Sequence, residues 1–194
     1  MIAFGLKQQG IEPIILTPTG VAAFPIGGQT IHKFFGISVS DQVFNPIRLA
    51  DFLKIHKDIA FLIDEISMVS GQLINKMSEA VAAALKKPLH FGGMLTILFG
   101  GLGQLQPIRA VEGGHFFDSY VIRGSIRITL TLQQRQIATD THFQAFLRKI
   151  RIGITDDTVV QYIMQHRRDD RDIPLAVMRL FTSRTEVQDY IHVL

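Results

Sequence analysis

The chain has 194 residues, 47% of them apolar, and a formal net charge of +3. That length holds a sizeable core in one ordinary domain, or one and a fraction, and a charge so close to neutral permits a nucleic-acid partner without arguing for one. The lack of cysteine excludes disulfides, thiolate metal sites and a cysteine nucleophile, and no apolar run reaches the roughly 18 residues of a membrane-spanning helix.

The opening "MIAFGLKQQG" reads as the tail of a helix ending at Gly10. Its apolar stretch is too short, and lacks the cleavage-like end, for a secretory signal, so the expectation is a soluble intracellular protein. A first strand is predicted at Pro13 to Thr17, a second at Ile59 to Asp64 and a third at Met94 to Phe99. These near-continuous apolar runs suit strands covered on both faces. A fourth strand, Ile126 to Leu130, alternates more and is expected nearer an edge; a fifth is expected at Val177 to Phe181.

Helical patterns fall between them. Ser70 is placed to cap a helix with Leu73, Met77, Val81 and Leu85 in one stripe, stopped by Pro88. Thr139 or Thr141 opens another, with Phe143, Phe146, Leu147 and Ile150 on one face and Gly153 at its end. Thr155 opens the next, with Asp156 and Asp157 in its first turn. The stretch after Phe24, and that from Asn45 to His56, read as loop plus short helix. Strands alternating with helices predict an α/β fold with a mostly parallel sheet.

Chemistry concentrates in "IAFLIDEISMVS", where an apolar strand runs into Asp64 and Glu65. The carboxyl edge of an open α/β sheet is where ligand crevices form, and buried carboxylates are costly unless a cation faces them. In nucleotide hydrolases an acid here holds hydrated magnesium while its neighbour orients or deprotonates the attacking water. The alternative is a solvated strand end with helix-capping acids. Upstream, Thr17 to Gly36 combines a small-residue turn, Gly27, Gly28 and the cluster His32-Lys33-Phe34-Phe35. Amides, hydroxyls, a base and aromatics suit single-stranded nucleic acid, although at least one of Phe34 and Phe35 is expected in the core.

These segments together resemble the PIF-type DNA helicases, a RecD-like branch of superfamily one. "TPTGVAAFPIGGQTIHKFFG" is similar to their motif Ia, "FLIDEISMVSGQLINKM" to motif II, "HFGGMLTILFGGLGQLQPI" to the stretch through motif III, and "LQQRQIATDTHFQAFLRKIRIG" to the run through motif IV. The matches lie in order from about Ile14 to Asp157. The resemblance implies a RecA-like P-loop NTPase core, ATP and magnesium as cofactors, single-stranded DNA or a DNA fork as partner, and 5′-to-3′ unwinding. It implies that Asp64 is associated with magnesium through water and that Glu65 activates water. It further implies that Gln104 and Arg135 contact the γ-phosphate, and that Thr19, Gly20 and His32 contact the DNA backbone. Residues 1–175 would form an incomplete first motor domain and 176–194 the start of a second. Nucleoid, nucleus and mitochondrion all fit the family. The basic pieces Arg148-Lys149-Ile150-Arg151 and His166-Arg167-Arg168 are candidates for additional phosphate contacts, although such runs are usually solvated helix faces.

Three departures from the family pattern stand out. No G-x-x-x-x-G-K-S/T occurs, and no lysine follows any glycine; the expectation is a domain lacking its first strand and P-loop, with an exposed sheet edge and impaired ATP hydrolysis. Gly101 stands where the family has aspartate, and Gln106 where it has proline. An intact motif Ia beside eroded nucleotide motifs also fits a second reading, a non-catalytic module that binds single-stranded DNA. A third, an unrelated P-loop kinase or transferase, lacks a phosphate loop.

Overall fold

The structure is a computed structural model that describes residues 1–37, 46–101, 103–107, 113–132, 134–136, 139–169, 172–174 and 176–193. Asn45, Leu102, Ile108, Gln133, Ile137 and Ala138, which fall in segments singled out above, lie outside the described residues. The chain divides into two compact units, Met1–Leu132 and Gln133–Leu194.

The first unit is built on a parallel sheet. Helix α1 (Ile2–Gln8) precedes β1 (Glu12–Thr17), and α2 (Gly20–Ala23) with a 3-10 turn at Phe24–Ile26 leads to β2 (Gln29–Thr30). Helices α3 (Ile31–Phe35) and α4 (Pro46–Ile55) lead to β3 (Ile59–Ile63); α5 (Gly71–Leu85) leads to β4 (Thr96–Leu98), and α6 (Tyr120–Arg123) follows. The strand order is β2-β1-β3-β4, every described pair parallel, with Ile14 opposite Phe61 and Leu62 opposite Ile97. Two-residue β2 carries no apolar pattern that sequence could have revealed. It forms because Gln29 and Thr30 find partners in Leu16 and Thr17.

β3 shows why the sheet is central. All five of its residues are buried, and their alternation divides them between two apolar clusters. Ile59, Phe61 and Ile63 join the larger, with Ile31, Phe34 and Phe35 of α3, Leu49 and Leu53 of α4, and Leu73, Ile74, Met77 and Val81 of α5. Ala60 and Leu62 face the smaller, against Leu6 of α1. Both phenylalanines of the His-Lys-Phe-Phe cluster are therefore core, meeting edge-on at 5.1 Å.

Helix α5 follows its sequence closely. Ser70 accepts a hydrogen bond from the Leu73 amide at 3.2 Å, and Lys86 closes the helix in the left-handed conformation, two residues before Pro88. The next turn packs back on it. The Phe91 amide donates to Ser78 Oγ at 2.9 Å, and Phe91, Gly92 and Gly93 all have positive φ. Gly92 has φ +61°, a left-handed conformation that favours glycine, and a Cβ there would press on Leu85.

Two expected strands are absent. Ile126 to Leu130 runs unpaired, with Ile126 and Leu130 fully exposed, and Val177 to Phe181 is likewise irregular. An alternating apolar pattern becomes a strand only when a neighbouring backbone completes its ladder, and no described strand pairs with either segment.

The second unit contains α7 (Thr141–Arg151), α8 (Asp157–His166) and α9 (Arg184–Val193). Its caps differ from expectation by one residue. Asp140, not Thr139 or Thr141, accepts from the Phe143 amide, and Asp156, not Thr155, accepts from the amides of Thr158 and Val159. Phe146 stacks on Tyr162 at 4.4 Å and joins α7 to α8.

Candidate functional site at the carboxyl rim of the sheet

Parallel strands all leave the sheet at one edge, and that edge gathers most of the residues the motifs single out. β1 leads into Thr19 and Gly20, β2 into His32, β3 into Asp64 and Glu65, and β4 into the loop bearing Gly100, Gly101 and Gln104. Ladder bonds continue past the strand ends. The Asp64 amide donates to the Leu16 carbonyl at 2.9 Å, the Phe99 amide to Ile63 at 2.8 Å, and the Ile66 amide back to Phe99 at 2.9 Å. The backbone carrying the acids is thus held between the exits of β1 and β4.

The acids sit on a specific turn. Glu65 has φ 53° and ψ 43°, a left-handed conformation that costs a non-glycine residue about 1 kcal/mol or more. The turn lets Asp64 Oδ1 accept from the Glu65 amide at 2.9 Å and the Glu65 carbonyl accept from the Met68 amide at 3.0 Å. Both side chains are half-buried, and among the described residues neither carboxylate forms an ion pair. No group of three or more His, Asp or Glu able to hold a metal ion occurs among the described residues. A carboxylate or two, short of a full cage, is the donor set that suits magnesium, which retains waters and takes its remaining ligands from phosphate. The residues present therefore fit the ion.

The β4 loop lies directly on this turn. A Cβ on Gly100 would sit 2.7 Å from Ile66 Cγ2 and 3.1 Å from the Ile66 nitrogen, both backbone-anchored positions just beyond Glu65. Gly101 is buried and accepts from the Gln104 amide at 3.1 Å, while the Gln104 side chain is exposed. Beside them Ser67 is 3% exposed, and its hydroxyl has no hydrogen-bond partner among the described residues.

On the other flank, Thr17 Oγ1 donates to the Thr19 carbonyl at 2.7 Å, and Thr19 Oγ1 accepts from the Ala22 amide at 3.3 Å as the cap of α2. Buried Thr17 thus shapes the turn, a role that sequence reading did not assign; the hydroxyl on each side of Pro18 was the signal. His32 is half-buried in α3, and Gly20 is exposed. The structure brings Asp64, Glu65, Gln104, Thr19, Gly20 and His32 to one rim. Arg135 belongs to the second unit and is exposed there.

The basic runs are partly committed elsewhere. Lys149 Nζ donates to Asp156 Oδ2 at 2.7 Å and to Thr158 Oγ1 at 2.6 Å. That contact, with the Thr158 hydroxyl and the Val159 amide, lowers the Asp156 carboxyl to about 2. Arg168 donates to the carbonyls of Gln165 and Arg167.

The family model described as PIF1-like helicase matches residues 2–160. An ATP-dependent DNA helicase PIF1 of Xenopus laevis is 36% identical over 180 residues, which cover 88% of this chain and 28% of that protein. The ATP-dependent DNA helicase RRM3 of Saccharomyces cerevisiae is 30% identical, over 92% of this chain and 26% of its own length. The chain thus spans about a quarter of these relatives. Among solved structures, the Candida albicans Pif1 helicase superposes with a TM-score of 0.70 at 29% identity, covering 91% of this chain and 42% of that one. A Bacteroides Pif1 helicase in complex with ADP-AlF3 and ssDNA gives 0.71 at 26% identity, covering 93% and 46%. The chain belongs to the PIF1-like helicase family.

Proposed function

We propose that this chain supplies the water-activating and DNA-facing part of an ATP-dependent DNA helicase, residues 1–175 being part of its first motor domain and 176–194 the start of the second. In that setting ATP hydrolysis drives 5′-to-3′ movement on single-stranded DNA for genome maintenance. The observation that carries the reading is the single rim on which the acid pair, the Gln104 loop and the Thr19 turn converge.

Each rim group has a task suited to its chemistry. Asp64 would hold a magnesium ion, which when bound would supply charge neutralisation at the phosphates. Glu65 takes the proton of the attacking water, its carboxylate free of any competing cation among the described residues. Gln104 reaches the γ-phosphate from the loop packed on the Glu65 turn. Arg135 is not a rim group but belongs to the second unit; the family resemblance gives its planar guanidinium the role of meeting phosphoryl oxygens, for which its charge is suited. Thr19, Gly20 and His32 meet the DNA backbone. Relatives named as ATP-dependent DNA helicases, and a solved Pif1 complex with ADP-AlF3 and ssDNA, support ATP and single-stranded DNA as the ligands of this reading.

A second reading, a non-catalytic module for single-stranded DNA, is favoured by one observation: residues 1–194 contain no P-loop pattern although motif Ia is intact. Two assays on the 194-residue chain separate the possibilities. We expect salt-sensitive binding of single-stranded oligonucleotide without ATP, together with background phosphate release. Magnesium- and DNA-stimulated release that disappears in Glu65→Gln would establish a working hydrolase in these residues alone. Absence of both binding and release would refute the DNA-facing assignment.

A further inference from the structure

The segment between β1 and β2 makes a rigid excursion. Its two ends are clamped side by side, Leu16 opposite Gln29 and Thr17 opposite Thr30. Within it the Gly28 amide donates to the Ala23 carbonyl at 3.0 Å and the Gly27 amide to Phe24 at 3.3 Å. Gly27 takes the left-handed conformation, with φ 64°. A Cβ on Gly28 would lie 2.9 Å from both the carbonyl oxygen and Cγ2 of Ile15, so the base of the excursion fits the sheet without slack.

On this clamped loop stands Phe24, 90% exposed, with Val21 one turn earlier at 86%. Pro25 follows directly in the 3-10 turn, where its ring fixes its own φ. The ring is presented on a support with little freedom to fold it away. Its surroundings are also uneven in charge. From Pro13 to Ser40 the sequence has no acidic residue, while His32 and Lys33 open the helix that follows β2.

We propose that Phe24 is a base-stacking platform: a nucleobase of single-stranded DNA lies on its ring while the neighbouring phosphates run along a segment that carries no carboxylate of its own and leads into His32 and Lys33. The assignment rests on the single-stranded DNA reading above and adds the contact that holds a base rather than a phosphate. Every base has a π-face, so stacking of this kind is tolerant of sequence, as a translocating strand requires. Rigidity favours it further, because a ring already fixed in place loses little freedom when a base covers it.

The test exploits the absence of tryptophan from the chain: Phe24→Trp introduces the only indole. Binding of an oligo-thymidine of about a dozen nucleotides is followed by fluorescence anisotropy at low salt, for wild type, Phe24→Ala, Phe24→Leu and Phe24→Trp. Stacking predicts affinity at least about fivefold weaker in both Phe24→Ala and Phe24→Leu, retained affinity in Phe24→Trp, and quenched indole emission on saturation. Leucine preserves an apolar surface, so a ring covered by protein rather than by a base leaves all four chains binding alike. That result, or indole emission unchanged at saturating oligonucleotide, overturns the Phe24 assignment and leaves the DNA reading standing. Wild type that does not bind at all removes both. Thermal melts of each variant confirm folding, which an exposed position leaves intact.

Discussion

Replacing Gly71 by alanine tests how tightly the helix after the acid pair is seated. In an open helix the change is favourable, by about 0.8–1 kcal/mol in the interior and less in the first turn. Here an added Cβ would lie 2.5 Å from the His115 carbonyl oxygen and 3.0 Å from the Ser119 nitrogen. Both neighbours are backbone, so the clash is relieved only by moving the chain, at about 1–3 kcal/mol of overpacking. Repulsion exceeds propensity, and the net loss is about 1–2 kcal/mol, or roughly 3–8 °C in Tm for a domain of this size. Gly5→Ala is the matched control. It lies inside α1, where an added Cβ meets nothing within 4 Å, and it should raise Tm by a few degrees. Circular dichroism melts of wild type and both variants give the comparison. A Gly71→Ala chain as stable as wild type would refute the reasoning, because it would mean that the α5 N-terminus is not pressed against the segment around His115.

Further outcomes follow from the same structure. Ser70→Ala removes the cap of α5 and should cost about 1 kcal/mol in urea unfolding. Ser67→Ala removes a buried hydroxyl that has no partner among the described residues and should leave stability unchanged or raise it by about 1 kcal/mol; a loss would show that the hydroxyl is bonded in solution. Asp156 has its folded pKa lowered from 3.8 to about 2, first by Lys149. Its contribution is therefore present above about pH 4 and lost as pH falls towards 2. Asp156→Asn should remove that part of the acid sensitivity, measured by the melting of α7 and α8 between those pH values.

The legible parts of the sequence are those governed by local rules or by bulk burial. β1 and β3 stand out as apolar runs because the sheet buries them, and Ser70 is readable because an N-cap acts within three residues. Asp140 and Asp156 compete as caps with adjacent threonines; aspartate is only modestly the better cap, so the choice rests on backbone geometry that sequence does not show. The Ile126–Leu130 and Val177–Phe181 segments carry strand-forming residues, but pairing depends on a neighbouring backbone that propensity does not encode. The acid pair is legible because two carboxylates at the end of an apolar strand are chemically conspicuous. The left-handed turn at Glu65, and the close approach of Gly100 to Ile66, are not. Each depends on how β1, β3 and β4 align at their exits, a property of register rather than of any one segment.

The central claim is that the carboxyl rim of the sheet is the working face of this chain. Hydrogen–deuterium exchange with and without an oligo-thymidine tests it most directly. Binding should slow exchange in peptides spanning Thr17 to Gly36 and leave α1 at the smaller cluster unchanged. Protection confined to α1, or to residues beyond Leu132 with none along the rim, would contradict it.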